Sequence, residues 1–67
     1  MNKFPQRLKE LREAKGLLQI ELANETNIST SCISRWEQGV RVPNIDSIIT
    51  LCKFFNCTSD YLIGLED

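Results

Sequence analysis

The segment Gln19-Ile20-Glu21-Leu22-Ala23-Asn24-Glu25-Thr26-Asn27-Ile28-Ser29-Thr30-Ser31-Cys32-Ile33-Ser34-Arg35-Trp36-Glu37-Gln38-Gly39 decides the fold. Leu18, Leu22 and Ala23 have helical spacing around a short helix from Gln19 to Glu25. That helix stops near Thr26-Asn27, because asparagine adopts a left-handed backbone at modest cost and turns the chain without a glycine. Ser29 then caps a second helix, Thr30 to Gln38. In it Ile33 and Trp36 share one side, while Thr30, Ser31, Ser34 and Arg35 are free to point elsewhere. Gly39 stands where a C-terminal cap is expected.

The flanks extend the same pattern. Upstream, residues 5–15 put Leu8 and Leu11 on one face, with Phe4 a turn earlier and Ala14 a turn later, so they predict an amphipathic helix with Pro5 in its first turn and Gly16 ending it. Downstream, Asn44 caps a helix from Ile45 to Phe55. Ile45, Ile48, Cys52 and Phe55 take its core positions, Ile49 and Leu51 flank them, and the helix is expected to be mostly interior. Asn56 ends that helix, Cys57 re-enters the core, and Thr58 caps a last helix through Ser59–Ile63 before Gly64. No segment alternates with period two, and there is no repeat, low-complexity stretch or linker. The expected fold is all-α, a compact orthogonal bundle of five short helices forming one domain over residues 1–67.

Composition narrows the function. A chain of 67 residues buries only about 60% of its unfolded surface, which leaves little room for a deep pocket and argues against an enzyme. No apolar run approaches the roughly 18 residues that span a bilayer, and no signal-peptide pattern opens the chain, so a cytoplasmic protein without a membrane partner is expected. There is no histidine, and the three cysteines, Cys32, Cys52 and Cys57, form no CxxC pair, so neither a metal nor another cofactor is expected, and no small-molecule ligand is evident. Catalytic residues are expected to be none, since no Ser/His/Asp or Cys/His set can be drawn. The net charge is −1, but its distribution is uneven. Residues 1–43 hold seven basic side chains (Lys3, Arg7, Lys9, Arg12, Lys15, Arg35, Arg41) against five acidic ones, and residues 44–67 hold Lys53 against Asp46, Asp60, Glu66 and Asp67. A surface facing a polyanion must lie in the first two-thirds.

Two short helices joined by a tight turn, the second polar outward with an arginine, form the helix-turn-helix arrangement that sets a helix in a DNA major groove. The segment Gln19–Gly39, together with Arg7-Leu8-Lys9-Glu10-Leu11-Arg12, Lys15-Gly16-Leu17, the loop Gly39…Arg41…Pro43 and the closing Thr58-Ser59-Asp60-Tyr61-Leu62-Ile63-Gly64, resembles the Xre family, the Cro/CI-type domains of phage and bacterial repressors. The resemblance implies a lambda-repressor-like bundle whose helices 2 and 3 form the motif. It implies a sequence-specific double-stranded DNA-binding regulator of transcription, a repressor that binds a palindromic operator as a homodimer. By the same resemblance Thr30, Ser31, Ser34 and Arg35 are base-reading positions. Arg35 is the strongest for specificity because arginine pairs bidentately with guanine, with a phosphate contact as its alternative role.

Gln19, Gln38 and Arg41 match phosphate-contacting positions, Arg12 and Glu37 match a structural ion pair, and the dimer contact falls on Tyr61, Leu62 and Leu65. Three features depart from the family pattern. Leu18 replaces the usual Ser or Thr cap, Ile20 replaces a polar residue, and the net charge is low for a DNA binder. Two other readings stay open: a protein-interaction module of the same fold, such as an antitoxin, and a thiol sensor acting through Cys32.

Overall fold

The computed structural model describes residues 2–67. Five helices follow one another: α1 (Phe4–Ala14), α2 (Gln19–Thr26), α3 (Thr30–Gln38), α4 (Ile45–Phe55) and α5 (Ser59–Ile63), with no strand among the described residues. The overall extents of 27 × 24 × 21 Å are nearly equal. α1 packs on α3 and α5, α3 on α2, and α4 on α2 and α5.

Side-chain chemistry sets the helix ends. Ser29 Oγ accepts from the Cys32 amide at 3.2 Å, Asn44 Oδ1 from Ser47 at 2.8 Å and Thr58 Oγ1 from Tyr61 at 3.0 Å. Each satisfies a donor that its helix leaves orphaned. Leu18 has no acceptor, so α2 is held by the reciprocal half of a capping box: the Glu21 carboxylate accepts from the Leu18 amide at 2.7 Å. At the C-terminal ends, Asn27 (φ 57°) and Asn56 (φ 54°) take the left-handed backbone expected of them. Gly64 meets a stricter requirement. Its φ is 92°, and a Cβ there would lie 2.9 Å from Lys3 Cβ.

The core is Phe4, Leu8, Leu22, Ala23, Ile33, Trp36, Leu51, Phe55 and Leu62. Trp36 meets Phe4 edge to face, with ring centroids 6.0 Å apart, a favoured aromatic geometry. Ala23 is buried where α2 meets α3, and its small side chain lets those helices approach closely. One expectation fails on α4. Ile45 is 75% exposed and Ile49 is 46% exposed, while Leu51 is fully buried, so the helix is interior along one side only. The buried stripe runs through Ile48, Leu51 and Phe55, and the first turn, with Ile45, overhangs the bundle.

Candidate nucleic-acid interface

At 100° per residue, Thr30, Ser34 and Gln38 fall in one stripe of α3 and Ser31 and Arg35 in the next, while Ile33 and Trp36 occupy the opposite arc and Glu37 lies at its edge, next to Thr30. Burial follows that division. Ile33 and Trp36 are core, Thr30, Ser31, Arg35 and Gln38 are exposed, and Ser34 is half-buried. The four expected base-reading residues therefore share one outward surface. Gln38 is not independent of it, since its Nε2 donates to Ser34 Oγ at 3.0 Å. Ser31 Oγ lies 3.4 Å from Ser29 Oγ.

A buried polar network holds this surface in place. Arg12 Nε donates to Glu37 Oε2 at 2.7 Å and its NH2 to Glu37 Oε1 at 3.0 Å, a bidentate pair whose side chains are 11% and 5% exposed. Arg12 NH1 donates to the Leu17 carbonyl at 2.7 Å, and Gln19 Nε2 donates to Glu37 Oε1 at 3.1 Å. The hydrogen bond to Glu37, against the opposing effect of burial, raises the Arg12 pKa above its ordinary value. The network ties α1, the chain entering α2, the first residue of α2 and the last turn of α3 to one carboxylate. Gln19 had been assigned only a phosphate contact. Here it is half-buried and also anchors α2 to α3, although its second N–H and its carbonyl oxygen are not used in that bond.

Past α3, Val40, Arg41 and Val42 are exposed. Arg41 borders a polar depression that it shares with Ser29, Asn44 and Ser47, between the α2–α3 turn and the start of α4. A cation there stands beside two capped helix N-termini, where the backbone dipoles add to its field. Cys32 lines the same depression and is half-buried against the core.

The expected dimer surface needs correction. Leu62 is fully buried and fills the core, so it cannot meet a second chain. Tyr61 is half-buried, and its ring lies 4.1 Å from the Arg7 guanidinium carbon. Leu65 alone of the three is freely exposed, at 73%. It lines an apolar groove with Val42, Pro43, Ile45, Ile48 and Ile63.

The charge reading also overcounted. Arg7 is buried, and its NH1 donates to the carbonyls of Tyr61 at 2.6 Å and Glu66 at 2.8 Å. Arg12 is buried as well, so two of the seven cations in residues 1–43 face inward. The signal for Arg7 was its place one turn after Phe4 and one before Leu11, inside the apolar stripe of α1.

The helix-turn-helix family matches residues 8–62 of the chain. The chain is 39% identical over 64 residues to the HTH-type transcriptional activator BcrR of Enterococcus faecalis, an alignment covering 96% of this chain and 31% of that protein. It is 36% identical over 61 residues to the HTH-type transcriptional regulator ImmR of Bacillus subtilis, covering 91% and 48%. It is 29% identical over 58 residues to repressor protein C2 of Salmonella phage P22, covering 87% and 27%. The chain thus spans less than half the length of each of these three relatives.

Proposed function

Because this chain belongs to the helix-turn-helix family, which matches it over residues 8–62, we propose that it binds double-stranded DNA sequence-specifically and regulates transcription, as a repressor on a palindromic operator. The observation that carries the reading is the outward surface of α3. Thr30, Ser31, Ser34 and Arg35 lie together there, on a helix whose opposite side is locked to α1 and α2 by the core and by the Arg12–Glu37–Gln19 network. α3 enters the major groove, Arg35 reads guanine, and the three hydroxyls make less selective base contacts. Gln19, Gln38 and Arg41 take backbone phosphates on either side and fix the register. Repression needs only that the bound protein occlude the promoter.

One copy reads too few base pairs for selectivity in a genome, so two copies act on two half-sites. Their contact uses Leu65 with Val42 and Ile45, three exposed apolar residues that line one groove.

Selection from a random duplex DNA library tests the reading. A two-fold-symmetric motif with half-sites about one helical turn apart is expected, and it should vanish with Arg35→Ala at unchanged circular dichroism. A folded protein that enriches no motif contradicts the reading. A protein-interaction role would instead survive Arg35→Ala.

A further inference from the structure

The α4–α5 junction brings two cysteines together. Asn56 is left-handed (φ 54°), and the Cys57 amide donates to the Cys52 carbonyl at 3.0 Å. This is the six-to-one bond of a Schellman cap, whose two end residues commonly form a side-chain contact. Here that contact pair is Cys52 and Cys57, both free thiols, both half-buried and both packed against the core. The atoms between their Cα positions, with that hydrogen bond among them, cap the Cα separation at about 6.8 Å, the outer edge of the range a disulfide spans. The third thiol, Cys32, is on α3.

We propose that Cys52 and Cys57 form a redox-active dithiol, which a small disulfide of the glutathione class oxidises to an intramolecular bridge across the α4–α5 junction. This site is independent of the DNA-binding reading. One thiol of the pair loses its proton and its sulfur attacks one sulfur of the small disulfide, breaking that S–S bond. The first small thiolate leaves and takes up the proton. The sulfur of the other cysteine, losing its own proton, then attacks the protein sulfur of the mixed disulfide and expels the second small thiolate, which is protonated in turn. Two protein thiols are oxidised by two electrons, and one small disulfide becomes two small thiols.

Burial, and then the neighbouring Cys52, push the Cys57 pKa up to about 11, which slows the step that uses its thiolate. The bridge converts a hydrogen-bonded cap into a covalent one. It pins α5, which sends Leu62 into the core and offers the Tyr61 carbonyl to Arg7.

The test is to incubate the folded chain with oxidised glutathione, block remaining thiols, and read intact mass and non-reduced tryptic peptides. Cleavage after Lys53 separates the two cysteines into the peptides 42–53 and 54–67, so the bridge is seen as a reduction-sensitive link between them. The expected result is a monomer that carries one blocking group, on Cys32, and is otherwise lighter by two hydrogen atoms, with that link between the two peptides. Cys57→Ser and Cys52→Ser should each stop at a glutathione adduct on the remaining thiol of the pair. Separate adducts on Cys52 and Cys57 in the unsubstituted chain, a bridge to Cys32, a disulfide between chains, or unreacted thiols would each overturn the proposal.

Discussion

Arg12 and Glu37 form a bidentate ion pair, at 2.7 and 3.0 Å, that joins α1 to the end of α3 almost out of solvent. Taking two charges out of water is costly, so the pair adds little net stability, but removing one partner strands the other. Arg12→Ala should therefore cost about 3–5 kcal/mol, a large share of what so small a domain has. Urea denaturation checks this. The double replacement Arg12→Met with Glu37→Leu should recover most of the loss, and an Arg12→Ala midpoint equal to that of the unsubstituted chain would contradict the network's role. DNA binding lost in Arg12→Ala reports this damage and not a missing contact.

Ala23 separates α2 from α3 by no more than a methyl group. Ala23→Leu forces the two helices apart and should cost about 1–3 kcal/mol by overpacking. Because it also tilts α3, affinity for a selected operator should fall more than thermal stability does. Calorimetry paired with binding at a temperature where the variant is folded separates the two losses.

Gly16 and Gly64 both have positive φ, at 69° and 92°, but only Gly64 has a neighbour in the way. Gly16→Ala should carry the left-handed backbone cost alone, about 1 kcal/mol. Gly64→Ala adds the Lys3 clash and should lower the melting temperature clearly more. Equal shifts would mean that the N-terminal segment does not press on Gly64 in solution.

Among exposed cations, Arg41 is assigned to phosphate and Arg35 to a base. Arg41→Ala should weaken every duplex alike and flatten the dependence of log K on log salt by about one unit per protomer. Arg7→Ala should leave that slope unchanged, since its guanidinium is spent on the carbonyls of Tyr61 and Glu66. It should instead destabilise the fold. Titrations at several salt concentrations distinguish the three arginines.

Ile45→Asp with Leu65→Asp places charge in the apolar groove. If that groove joins two copies, sedimentation should show a monomer with half-site affinity retained and cooperative binding to the full site lost. Dimerisation that survives the double substitution would move the contact elsewhere.

The helix boundaries were legible because Ser29, Asn44, Thr58, Asn27 and Asn56 announce them locally, and each cap or left-handed turn forms where its residue type predicts. The outward surface of α3 was legible for the same reason, as Ile33 and Trp36 define its opposite side. What could not be found from local pattern depends on which helix lies beside which. Ile45 fits the α4 period as well as Ile48 does, but Ile48 packs against the core while Ile45 stays 75% exposed. Leu62 looked available on a short terminal helix, yet α1 and α4 pack on α5 and bury it. Arg7 lay inside an apolar stripe, but its acceptors are carbonyls more than fifty residues away in sequence.

The central claim is that Arg35 reads a base from the outward surface of α3. Once an operator has been selected, its half-site guanines can be replaced one at a time by 7-deazaguanine, which removes the N7 acceptor and leaves base pairing intact. At one guanine per half-site the unsubstituted protein should lose roughly tenfold in affinity, within the about 1–3 kcal/mol of a bidentate pair. Arg35→Ala should bind the two operators equally. An Arg35→Ala protein that remains as sensitive to the missing N7 as its parent would contradict the claim.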